Sequence, residues 1–528
     1  MAAVVLAFLL FTTFFSLLVL FRRYVIDNRY ALKIPTVSPV HPLIGHCGLY
    51  MGKNTRQVFW LMAKCFRGVD RLSKLRFVTI PVLLVNHPDL IQELMTRPEL
   101  YDKPFFYEYM GLGKGLITEQ RGQMWRRSRK LLNPTFSTRI LNEFVPIMDA
   151  RARKMIGSLA ELADGKTEFD ILPITAQCTL EMVFSTTMGC RVEERQGERE
   201  YVRCLEGLMT CIGERMLNID RYLGPVYRFT KAYKVDKVCR DTCNGFTEKI
   251  IQERKLEMAS NNNNIIDERL SSGEMDESRA KSLNFLDQIL TIRRPDGTNF
   301  PDDEVSDHLY SIVGAGSETS ALTISYACLF LAMDHQIQTK VSTEIKKVFP
   351  SRNTEVTPET LKQLAYMEMV LKETLRLCPA VSFAARSNEI PIKLDGVHIP
   401  QGQIFCFNFY SLHRRKDLWG DDPERFDPDR FSPEASNNRH PYAYLPFSGG
   451  FRNCIGGRYA LNSLKIMLLR ILQNFHIGTS LKRENMRFRW AITMKLVGPH
   501  AVWLTRRDLY QQNPPSSPSS SAAQDLCQ

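Results

Sequence analysis

Hydrophobic and polar positions change period several times along the chain, and each change marks a different kind of element. Ala2 to Phe21 is an uncharged run of twenty apolar or hydroxyl residues, followed at once by Arg22 and Arg23. As a helix it would be about 30 Å long, enough to cross the hydrocarbon core of a bilayer. It lacks the basic start, short apolar stretch and small-residue cleavage site of a signal peptide, so an uncleaved anchor over residues 1–24 is expected. The arginines on its C-terminal flank predict that the rest of the chain stays cytosolic. Residues 25–46, broken by Pro35, Pro39 and Pro42, cannot continue a helix and read as a stiff hinge.

Beyond the hinge, Leu75 to Asn86 is rich in β-branched and apolar residues and predicts two short strands. Most of 120–350 has helical spacing, and 390–410 returns to short strands around Asp395-Gly396. The expectation is a mainly α protein with small β-sheets, forming one catalytic unit over 47–510. The polar stretch Ser260 to Lys281 predicts an exposed linker, and the proline- and serine-rich residues 511–528 a disordered tail.

The net charge of +12, from 69 basic and 57 acidic side chains, favours anionic surfaces such as lipid headgroups or an acidic protein. No zinc-finger spacing, basic coiled coil or aromatic RNA-binding signature accompanies it, so nucleic acid is not expected. Thirteen cysteines without framework spacing suit reduced thiols, and Cys239 and Cys243, one helical turn apart, read as packing residues.

Cys454 is different, because it lies in an aromatic, glycine-rich loop, Phe447-Ser-Gly-Gly-Phe-Arg-Asn-Cys-Ile-Gly456. One thiolate without clustered partners does not make a zinc or iron–sulfur site and points to haem, where a thiolate ligand favours O–O cleavage. Gly450 and Gly456 permit tight backbone turns, Phe447 would pack beside the sulfur, and Arg452 can reach a propionate.

The spacing Phe-x-x-Gly-x-Arg-x-Cys-x-Gly resembles the signature of the cytochrome P450 superfamily, and further motifs extend the resemblance. Ala315-Gly-Ser-Glu-Thr-Ser320 resembles the family's oxygen-binding helix: Gly316 would loosen a turn, while Glu318 and Thr319 would relay protons. The alternative is a helix with a small-residue packing notch. Glu373 and Arg376 lie on one helix face, and the family completes this pair with an arginine from the following loop. Arg425 and Arg430 compete for that place, and spacing favours Arg430. Trp125 and Arg129, one turn apart, are suited to a propionate, and Arg386 resembles a further propionate contact. Arg126, Arg127, Lys130, Arg414, Arg415, Lys416, Arg458 and Lys465 read as a basic face for a redox partner.

The resemblance implies the P450 fold behind an N-terminal transmembrane helix in the endoplasmic reticulum membrane. It also implies haem b ligated by Cys454, and electrons from NADPH through a reductase, with cytochrome b5 as a second donor. The implied reaction inserts one atom of O2 into an apolar substrate: a fatty acid, a terpenoid hormone or a xenobiotic. The nearest subgroup pattern is that of insect-like, family-4-type microsomal members. Ala315 replaces the glutamate that esterifies haem in many of them, which excludes that covalent link, and Phe451 stands where proline is common. A haem-thiolate isomerase or dehydratase and a non-catalytic haem sensor are the competing functions. Glu318 and Thr319 argue against both, and the basic face argues against the sensor.

Overall fold

The computed structural model describes residues 29–507 apart from 43, 78–79, 111–112, 190–197, 218–223 and 273–283, together with 11–16, 18–19 and 22. Most of the expected anchor and all of the expected tail therefore lie outside the described residues. Among those described, no helix is long and apolar enough to cross a membrane.

Helices dominate, and those of eight or more residues are α1 (Thr55–Arg67), α2 (Pro88–Met95), α3 (Gly122–Leu132), α4 (Val145–Glu161), α5 (Leu172–Thr187), α6 (Glu198–Leu217), α7 (Lys231–Ser272), α8 (Asp302–Met333), α9 (His335–Val348), α10 (Ala365–Leu377) and α11 (Gly457–Asn474). Helix α7 runs through the polar stretch to Ser272, so the expected linker is helical for half its length. A run of asparagines lowers helix propensity by only a few tenths of a kcal/mol per residue, which does not force a break.

The strands expected near 75–86 are β1 (Leu72–Phe77) and β2 (Ile80–Val85). With β4 (Phe383–Ser387) and β7 (Ile404–Asn408) they form a sheet in the order β1-β2-β7-β4, in which β2 and β7 alone run parallel. The expected hairpin at Asp395-Gly396 is β5 (Ile392–Leu394) and β6 (Val397–Ile399), its two turn residues at φ 49° and 78°. Strand β3 (Phe169–Asp170) pairs with β11 (Ala501–Arg506), which also pairs with β8 (Phe475–Gly478). A separate hairpin joins β9 (Phe488–Ala491) to β10 (Thr493–Leu496).

Proline blocks helix in the hinge segment, but 29–46 is docked on the body. Thr36 bridges to Lys74 and Gly45 to Phe77. His46 is fully buried between them, accepting from the Arg76 N–H at 2.8 Å while its Nε2 donates to the Val37 carbonyl at 2.7 Å. Gly45, at φ 63°, allows this approach; a Cβ there would stand 2.1 Å from the Arg76 carbonyl oxygen.

Helix α8 is the axis of the core, with every residue from Ser320 to Ala332 buried. Against it lies α5, where Thr179 donates to the Ser317 carbonyl at 2.9 Å and Thr175 meets Ser325 at 2.9 Å. Next to α8, α10 carries the expected ion pair: Glu373 and Arg376 are both fully buried, 2.7 Å apart. The Arg376 guanidinium also donates to the carbonyls of His413, Pro423 and Arg425 at 2.8, 2.6 and 3.1 Å. Arg430 is the third member, its Nε 3.8 Å from Glu373, whereas the Arg425 side chain turns outward to Asp427. Burial pushes the Glu373 carboxyl up, and the Arg376 and Arg430 cations oppose that shift. His413 completes the joint: its Nε2 accepts from the Leu445 N–H at 2.8 Å, so Nδ1 carries the proton towards the Arg376 carbonyl, 3.2 Å away.

Arg430→Ala should destabilise the fold by about 1–3 kcal/mol, since it removes a cation facing a buried carboxylate, whereas Arg425→Ala should leave stability essentially unchanged. Denaturant titration of the two variants checks the assignment. Burial, then the nearby Arg376 and Arg414 cations, push the His413 pKa down from 6.5 to about 3. Its contribution is therefore complete above the unfolded-state value and lost as pH falls towards the folded one. Between pH 7 and pH 5 that loss is about 2 kcal/mol, and His413→Gln should remove it from the pH dependence of stability.

Candidate active site

The loop before α11 is closed on itself: the Cys454 N–H donates to the Phe447 carbonyl at 2.9 Å. Gly450, at φ 64°, is where the loop passes α2, and a Cβ there would meet the Met95 carbonyl oxygen at 1.9 Å. Its glycine thus serves a backbone crossing with α2. Gly456 has φ −88° and does not need glycine's freedom; a Cβ would lie 4.0 Å from the Cys454 sulfur. Ser448, at φ 59°, takes the left-handed conformation that the sequence did not reveal.

Cys454 faces a large cavity, which Phe447, Gly456, Thr319 and Glu318 also line. Burial pushes the thiol's pKa up, while the Gly456 N–H and the Arg129 cation pull it down. Arg129 reaches the loop directly, donating to the Asn453 carbonyl at 2.8 Å and its side chain at 2.9 Å, and to Asn133 at 2.6 Å. Arg129 lines the cavity and at the same time clasps the cysteine loop from α3.

On the same cavity, Arg386 on β4 and Lys103 converge with Arg452 of the cysteine loop. Each donates to a backbone carbonyl, of Ala385, Glu119 and Ile117 respectively, and to no described carboxylate. Arg452 lies over the Trp125 ring, 4.5 Å from its centroid, and its Nε and Nη1 are buried without partners among the described residues. Burial, then Arg386, brings the Arg452 pKa down to about 9; burial, then Arg452 and Arg386, puts that of Lys103 well below its usual value. Three desolvated cations with free donors fit a ligand that brings its own carboxylates. A cysteine and, two residues before it, a guanidinium with unpartnered atoms on the wall of one cavity suit haem. Sequence reasoning missed Lys103, whose spacing in Tyr-Asp-Lys-Pro104 signals nothing.

On α8 the loosened turn expected at Gly316 is absent: the helix is continuous from Asp302 to Met333. Gly316 lets α8 approach α5, since a Cβ there would stand 3.1 Å from Val183. Thr319 Oγ1 donates to the Ala315 carbonyl at 2.7 Å, and Glu318 pairs with Lys495. Thr319, Glu318 and Cys454 thus border one cavity. The expected basic face is smaller than its sequence spacing suggests. Lys465 is buried against Glu368, Arg414 pairs with Glu424 over the Tyr410 ring, and Arg415 is held by Asp70 and Asp417. Arg126, Arg127, Lys130, Lys416 and Arg458 remain exposed.

The family model described as Cytochrome P450 matches residues 35–500. The chain belongs to the cytochrome P450 family. It is 30% identical to cytochrome P450 4V2 of Rattus norvegicus over 91% of each chain. To cytochrome P450 4c21 of Blattella germanica it is 30% identical, over 94% of this chain and 97% of that one. With the probable cytochrome P450 313a4 of Drosophila melanogaster the identity is 33%, over 81% of this chain and 85% of the other. The crystal structure of the cytochrome P450DA heme domain superimposes with a TM-score of 0.75 at 20% identity, covering 90% of this chain and 98% of that one. This P450 is therefore a haem-thiolate monooxygenase. When bound, the haem supplies the iron centre at which dioxygen is activated.

Lys103→Met should stabilise the haem-free protein, by removing one of three mutually repelling buried cations, yet weaken haem retention by roughly tenfold. Thermal melts of the haem-free form and haem transfer to apomyoglobin measure the two effects, which should have opposite signs.

Proposed function

We propose that this P450 hydroxylates an apolar substrate, of the fatty-acid, terpenoid-hormone or xenobiotic kind, with electrons from NADPH through a flavin-bearing reductase. The observation that carries this reading is the cavity itself. Its walls are mostly aliphatic and aromatic, among them Leu116, Ile117, Phe136 and Phe383, and its single described carboxylate, Glu318, neighbours Thr319 on α8. Apolar walls take up an apolar substrate and exclude bulk water. Small Ala315 leaves room beside the haem position.

Glu318 carries protons from solvent and Thr319 delivers them. The Thr319 hydroxyl donates to Ala315, which leaves its oxygen lone pairs as acceptors. Arg126, Arg127, Lys130 and Arg458 flank the cysteine loop on α3 and at the start of α11, where an acidic reductase, or cytochrome b5, would dock. Residues 1–24 hold the enzyme in the endoplasmic reticulum membrane, with the catalytic unit in the cytosol.

The test uses the full chain in lipid vesicles with the reductase. The reduced carbon monoxide complex should show a strongly red-shifted Soret band that Cys454→Ser lacks. Thr319→Ala should raise severalfold the fraction of NADPH electrons that end as hydrogen peroxide. Haem bound by the parent without that band, or NADPH consumption unaffected by reductase, would overturn the reading.

A further inference from the structure

Where α8 meets the hairpin of β9 and β10, the contact beside the cavity is ionic. Lys495 Nζ lies 2.5 Å from Glu318 Oε1, and the two side chains are 23% and 21% exposed. Glu318 is the only carboxylate lining the cavity among the described residues. Lys495 itself does not line it; the lysine reaches the carboxylate from outside the wall.

The hairpin holds that lysine firmly. Strand geometry puts Thr493 and Lys495 on one face of β10, about 7 Å apart, with Met494 on the other. Thr493 lines the cavity with a buried hydroxyl that has no protein partner among the described residues. Met494 is gripped from two sides, its carbonyl accepting from the Tyr326 hydroxyl at 3.0 Å and its N–H donating to the Ala380 carbonyl at 2.8 Å. Lys495 thus follows directly on a residue whose backbone is locked to the core, which fixes the point from which its side chain reaches Glu318. A partly exposed ion pair contributes only about 0–1 kcal/mol to stability, so this one does little for the fold. It does decide where the carboxylate stands.

We propose that Lys495 is a positioning residue for proton delivery, its ammonium fixing one Glu318 oxygen at the cavity wall so that the other faces Thr319 and solvent. The inference rests on the reading of Glu318 as a relay. The ion-paired Glu318 carboxylate takes one proton from solvent and passes it inward, while Lys495 exchanges none, so the pair ends as it began. Loss of the ammonium leaves the acid in place but frees its side chain to turn, and misplacing a proton-transfer group by an ångström slows the step it serves.

Two measurements test the proposal. Zero-length carbodiimide coupling of the full chain, haem-free and haem-loaded, followed by peptide mass spectrometry, should join Glu318 to Lys495 in the parent. Absence of that linkage overturns the proposal. The second measurement is NADPH oxidation with the reductase in H2O and D2O, for Lys495→Met, Lys495→Arg, Glu318→Gln and the double variant, with carbon monoxide spectra confirming equal haem loading. Lys495→Gln serves in place of Lys495→Met should the latter not load haem. Lys495→Met should slow oxidation by about tenfold and raise the solvent isotope effect, Lys495→Arg should restore both, and the double variant should be no slower than Glu318→Gln. A parental rate and isotope effect in Lys495→Met beside altered ones in Glu318→Gln sink the role of Lys495 alone. Parental values in Glu318→Gln sink the relay, and this inference with it.

Discussion

The buried ion pair of Glu373 and Arg376 is the constraint on which the rest of this P450 depends. Two charges removed from water are tolerable only when the geometry is close and every remaining donor is used. Here the guanidinium reaches the carboxylate twice and three backbone carbonyls besides. Those carbonyls belong to the irregular segment between β7 and the cysteine loop, which has little regular structure of its own. The ion pair therefore orders that segment, and His413 extends the order by receiving the N–H of Leu445, two residues before Phe447. Cys454 is held in place largely from this side, and from α3 through Arg129.

The same physics is left unresolved at the wall of the cavity. Lys103, Arg386 and Arg452 are desolvated too, but among the described residues no carboxylate forms an ion pair with them. A fold keeps such an arrangement when a ligand supplies the missing charge. One buried cationic site is thus internally balanced and structural, the other open and functional. The presence of a partner, and not the residue type, separates them.

Local features were legible where chemistry or geometry leaves few choices. The cysteine loop could be read because a single thiolate among glycines and an arginine has few uses, and the Asp395-Gly396 turn because positive φ at two successive positions favours such residues. The choice of Arg430 over Arg425 followed from spacing, and the structure agrees. Roles that depend on distant partners were hidden. Gly316 looked like a helix breaker until Val183 stood beside it, and Lys465 like a surface charge until Glu368 enclosed it. Lys103 and Lys495 carried no sequence signal, since a lysine's meaning lies in what it faces. The strands β8 and β11 are short, and their pairing with each other and of β11 with β3 joins distant parts of the chain.

By itself, then, the sequence determined the chemistry that one short segment can hold: a thiolate loop, an acid beside an alcohol on a helix, and a mainly helical chain with small sheets. Only the tertiary structure decided which charges are paired and which are left for a cofactor. It also decided which glycines serve close approach and which lysine grips Glu318. Hydrophobic periodicity and turn chemistry act over a few residues, whereas the free energy of a buried charge depends on partners brought together from opposite ends of the chain.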